Sequence, residues 1–98
     1  MAEDTDEKFF KRADAHIFLA NEHLADTARG KVSASLMFAA SRFNAWSSAA
    51  DLQTVEEMKD KRDEVIEYFI SQYRSMLEEN IDNYIQHFDM FMNSKANN

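Results

Sequence analysis

Breakers are nearly missing from this sequence: among 98 residues there is no proline and one glycine, Gly30. Hairpin-rich sheet depends on such residues at its turns, so their scarcity disfavours it and leaves long uninterrupted helices as the default. Cysteine is missing altogether, which rules out disulfides, thiolate metal sites and cysteine nucleophiles. Basic charge is in short supply too. Eleven Lys and Arg stand against eighteen Asp and Glu, a formal charge of −7, and the cations are scattered along the chain. That balance repels phosphate and argues against nucleic acid or an anionic membrane as a partner. No apolar run reaches the ~20 residues of a membrane-spanning helix, because charged residues or Asn interrupt each one. The opening Met1-Ala2-Glu3-Asp4-Thr5-Asp6-Glu7 is acidic where a secretory signal is basic and then apolar, so the cytoplasm is the expected address.

Apolar side chains, by contrast, are plentiful: 45% of residues are hydrophobic, with eight Phe, three Tyr and one Trp. A disordered chain of this charge would carry far fewer. The expectation is one all-α domain over residues 1–98, a small bundle of three long helices.

Helix one is predicted over about residues 5–28. Asp4 or Thr5 can cap it, and Phe9, Phe10, Ala13, Ile17, Ala20, Leu24 and Ala28 form one stripe at helical spacing. Phe18 and Leu19 fall outside that arc and so mark either a second neighbour or an exposed contact. Ala28-Arg29-Gly30-Lys31 reads as the stop, with basic charge at the negative end of the dipole.

Helix two is expected over about 31–50. Its main stripe is Val32, Leu36, Ala39, Phe43, Trp46 and Ala50, and a second runs through Ala34, Phe38, Ala45 and Ala49. Two apolar faces suit a central helix, and the many Ala and Ser allow close approach.

Helix three is expected over about 54–92, opened by the capping box Thr54/Glu57, in which each side chain satisfies the other's backbone amide. Its apolar seam runs from Val55 to Met92, with Glu57/Lys61, Lys59/Asp63 and Arg74/Glu78 as solvated pairs four apart. From residue 93 the pattern lapses and the tail, 93–98, should fray. Such a helix would be roughly 58 Å long, against about 30–36 Å for the other two. Either it breaks near Glu79-Asn80-Ile81-Asp82 and a fourth helix folds back, or the overhang is covered by a second subunit. The second is favoured, with Tyr84, Ile85, Phe88, Phe91 and Met92, together with Phe18 and Leu19, as candidate interaction surface. A dimer is the simplest assembly. Arg62 and Asn80 interrupt the seam where Leu or Ile would be expected: either they set register or partner number, or they mark a seam edge open to water.

Chemistry-bearing motifs are sparse. His16 and His23 lie seven apart, near one face, but no HExxH, His-x-x-x-His or Glu-x-x-His spacing accompanies them, so no metal site is assigned. Glu78, Glu79, Asp82 and Asp89 project around several faces of one helix instead of converging as a catalytic pair does. Ser33, Ser35, Ser41, Ser47 and Ser48 sit in no nucleophile elbow, and Arg29-Gly30-Lys31 has too few glycines to cradle phosphate. No catalytic residue and no cofactor is implied. His87-Phe88-Asp89-Met90-Phe91-Met92 reads either as core filler or as an adaptable contact surface.

Three stretches carry a resemblance: Phe9-Phe10-Lys11-Arg12-Ala13-Asp14-Ala15-His16-Ile17; Arg29-Gly30-Lys31-Val32-Ser33-Ala34-Ser35 with Ala39 to Trp46; and Tyr73-Arg74-Ser75-Met76-Leu77-Glu78-Glu79-Asn80-Ile81-Asp82-Asn83-Tyr84. Together they resemble the short, mainly bacterial proteins of domain of unknown function family 3144. The likeness covers nearly the whole chain. It implies a compact helical bacterial protein and supplies no reaction, cofactor or partner. Ala34, Phe38 and Ser41 are also spaced as in a tetratricopeptide hairpin, but no second repeat follows.

The leading expectation is therefore a non-enzymatic, self-associating interaction or structural module. Two alternatives come from other classes. One is a small-ligand or metal-binding protein, or an enzyme, using His16, His23 or the Glu78–Asp82 carboxylates between helices. The other is an acidic mimic that occupies nucleic-acid-binding proteins.

Overall fold

A computed structural model of the chain describes residues 5–93. Four helices account for 84% of these residues and no strand occurs among them, so the protein is all-α. They are α1 (Phe9–His23), α2 (Arg29–Ala50), α3 (Val55–Gln86) and α4 (Phe88–Asn93). The chain divides into two units, Met1–Glu57 and Met58–Asn98.

In the first unit, α1 begins later than its capping candidates suggest. Asp4 lies outside the described residues, and the start is organised by Asp6. Its carboxylate accepts the Lys8 backbone N–H at 3.1 Å, its carbonyl accepts the Phe9 N–H at 3.0 Å, and Arg12 reaches back to both carboxylate oxygens at 3.2 and 3.4 Å. An aspartate that bonds ahead to the backbone holds a turn there, so the helix starts after it.

The far end of α1 also departs from expectation, at His23 instead of residue 28. Leu24, Ala25 and Asp26 donate to carbonyls three residues back, a tightened last turn, and Thr27 donates its hydroxyl to Asp26 at 2.9 Å. Gly30 is not the stop. It lies in the first turn of α2, without positive φ, where Lys31 and Val32 donate to Ala28.

α1 packs on α2, and Val32, 8% exposed, is the one buried hydrophobic residue among those described. Phe9, Ala13 and Ala20 are half-buried, whereas Phe10 and Ile17 of the predicted stripe are exposed. On α2, Phe43 and Trp46, expected in the core stripe, are exposed, their rings 5.6 Å apart. Length supplies a reason within this unit. With 15 residues α1 is about 22 Å long and α2, with 22, about 33 Å, so one cannot flank all of the other.

In the second unit, α3 runs unbroken through residues 79–82, where the sequence allows a break and a fold-back. Asn80 is absorbed into the helix, its side-chain amide donating to the Met76 carbonyl four residues back at 2.9 Å. The interruption falls instead at His87, between α3 and α4, and the backbone barely departs from helical bonding. His87 donates to the Asn83 carbonyl at 3.1 Å and Phe91 to that of His87 at 3.0 Å. Along α3, Met58, Val65, Phe69, Gln72 and Met76 form a half-buried line at steps of seven, four, three and four.

Candidate interaction surface

Beside that line runs a second, more open one. Ile66, Ile70, Tyr73, Leu77, Ile81 and Tyr84 are each between 39% and 51% exposed. Apart from Ile81, the steps are four, three, four and seven, and Asn80 stands at the intervening seam position three after Leu77. Alternating steps of three and four keep side chains on one stripe of a helix, the pattern by which helices pair.

The predicted surface residues divide between the two units. Phe18 and Leu19 lie on α1 and are exposed. Tyr84 and Ile85, at the end of α3, and Phe88, at the start of α4, are exposed as well, Ile85 to 68% and Phe88 to 58%. Phe91 and Met92 are half-buried. The Phe91 ring lies 4.8 Å from Tyr84 and 5.9 Å from His87, so it is a local prop for Tyr84 as well as a surface group. Aromatic pairs at this separation add about 0.5–1.5 kcal/mol beyond area burial.

The two polar interruptions of the seam are both engaged within their own helix. Arg62 donates to Asp63 at 2.7 Å, in a well-exposed pair, and Asn80 bonds Met76 as above. Asp63 is thus paired with the adjacent arginine instead of with Lys59, the partner expected four residues earlier.

Groups with chemical potential stay apart. Among the described residues no three of His, Asp and Glu converge to hold a metal ion. His87 places Nδ1 3.2 Å from the Asn83 carbonyl oxygen. The Ser41 and Ser48 hydroxyls donate to the carbonyls of Phe38 and Asn44, which ties them to their own helix. Asp6 is held below its ordinary carboxylate range, chiefly by the Arg12 hydrogen bond. Sequence reading did not find this pair, because a spacing of six joins a turn to a helix and matches no helical repeat. No described helix is long and apolar enough to cross a membrane.

Comparison with solved structures finds a similar chain in the "NMR structure of the protein NB7890A from Shewanella sp". It has 35% sequence identity and a TM-score of 0.74, and the match covers 93% of this chain and 97% of that one. No curated protein matches. Residues 9–85, from the first residue of α1 almost to the end of α3, match the family model described as protein of unknown function (DUF3144), and the chain belongs to that family.

Proposed function

We propose that this protein works without catalysis, as a helical interaction module whose first partner is another copy of itself, in the bacterial cytoplasm. One observation carries the reading: Ile66, Ile70, Tyr73, Leu77 and Tyr84 stay 39–50% exposed along one stripe of a 32-residue helix. Burying such a side chain fully is worth about 1.5–3 kcal/mol, and contiguous apolar surface of this kind characterises contact sites. Among the described residues the second unit holds no long helix besides α3. Phe18 and Leu19 offer a further apolar site on α1.

Sedimentation velocity from micromolar to millimolar concentration tests the reading. The expected result is a concentration-dependent shift from monomer to dimer. A strict monomer throughout that range overturns it. The double variant Ile70→Lys/Leu77→Lys changes exposed positions, so it should retain helical circular dichroism while weakening association.

A further inference from the structure

We infer that the second copy pairs with the first through α3 in antiparallel orientation, Ile66 facing Leu77 and Ile70 facing Tyr73 across a two-fold axis near residues 71–72. This inference rests on the self-association proposed above and adds the occupant's direction and register.

The argument begins with the open stripe. In heptad terms Ile66, Tyr73 and Asn80 occupy one core position, and Asp63, Ile70, Leu77 and Tyr84 the other. Ile66, Ile70, Tyr73 and Leu77 are all exposed in the single chain. Antiparallel pairing about residues 71–72 stacks them into four consecutive apolar layers. Asp63 then meets Asn80 of the second copy, an acceptor opposite an amide donor, and Lys59 meets the phenol of Tyr84.

Charge at the flanks selects this register. Glu67 and Arg74 lie just outside the core on the same side of α3, and here Glu67 of each copy stands beside Arg74 of the other. Sliding by one heptad in one direction sets Arg74 against itself, and in the other direction Glu67 against itself. A parallel pair fares worse along the core. It would gain Arg62 opposite Glu67, an exposed pair worth a few tenths of a kcal/mol, but would set Asp63 against Asp63 and Lys59 against Lys59. Like charges brought together while losing water cost more than such a pair returns.

Spin labelling tests the orientation directly, and the chain brings no native cysteine to interfere. Asp60→Cys and Asn83→Cys are exposed positions outside the proposed layers. In the antiparallel dimer, labels at position 60 in both copies lie 23 residues apart along the axis, about 35 Å at 1.5 Å per residue. Mixing chains labelled at 60 with chains labelled at 83 adds a separation below roughly two helix diameters, about 20 Å. A parallel dimer inverts the pattern, short for position 60 alone and long for the mixture. That result overturns this inference and leaves the self-association reading standing, as does a dimer in which every separation is long. A strict monomer in sedimentation removes both. Reversing one charge, Arg74→Glu, should weaken dimerisation severalfold, and adding Glu67→Arg should restore it. Failure of the double variant to recover counts against the register.

Discussion

Thr54 and Glu57 satisfy one another's backbone at the start of α3. The Glu57 amide donates to Thr54 Oγ1 at 3.1 Å, and Glu57 Oε1 accepts the Thr54 amide at 3.0 Å and the Gln53 amide at 2.8 Å. One carboxylate oxygen therefore serves two amides that precede the helix. With Glu56 and Glu57 in the first turn, it also places negative charge at the positive end of the dipole.

Removing this box should be felt across the helix it starts. Thr54→Ala is expected to lower stability by about 1 kcal/mol in urea unfolding, the usual cost of losing a capping side chain. No change in midpoint would mean that the bonds contribute nothing in water.

Acid should loosen the other helix start. The folded pKa of Asp6 is depressed, so its contribution is fully present above the ordinary value of 3.8 and is lost as pH falls through the lower folded value. A carboxyl NMR titration should place the Asp6 midpoint below 3.8 in the native chain, and Arg12→Ala should return it toward that value.

Gly30 offers a substitution in the stabilising direction. It is helical, has no positive φ, and a Cβ built on it meets nothing within 4 Å. Gly30→Ala should raise stability by about 0.5–1 kcal/mol, through higher helix propensity and a less flexible unfolded chain. A loss of stability would show that this position needs the freedom of glycine after all.

Val32→Ala should cost about 1.5 kcal/mol, near 0.8 kcal/mol for each buried carbon removed. Phe38→Ala, on an exposed part of the same helix, should cost about 0.5 kcal/mol or less in dilute solution. Thermal unfolding of both variants checks the order, and equal losses would contradict the burial pattern.

How much could be read in advance varies residue by residue. The Thr54/Glu57 box was legible because both partners lie within one turn, where spacing alone dictates the geometry. Gly30 was misread for a related reason. Gly followed by Lys is a stop signal by composition, but the Asp26–Thr27 turn had already ended α1 and Arg29 had begun α2. Spacing places the open stripe in one long apolar seam together with the half-buried line, and separates neither their membership nor their exposure. Periodicity marks an apolar face without saying whether anything covers it. Trp46 and Phe43 show the same limit on α2, where a core pattern coincides with exposed rings.

Helical class, the start of α3 and the apolar faces follow from local causes: missing breakers, a capping pair, and side chains repeating every three or four residues. Where α1 stops, that α3 passes Asn80 and falters at His87, and which of two neighbouring seams stays open were settled by the folded chain. Those outcomes depend on competition among hydrogen bonds and on how much apolar surface a neighbouring element can reach, and neither is written in a repeat. The exposed seam along α3 is the reason to look for a second copy.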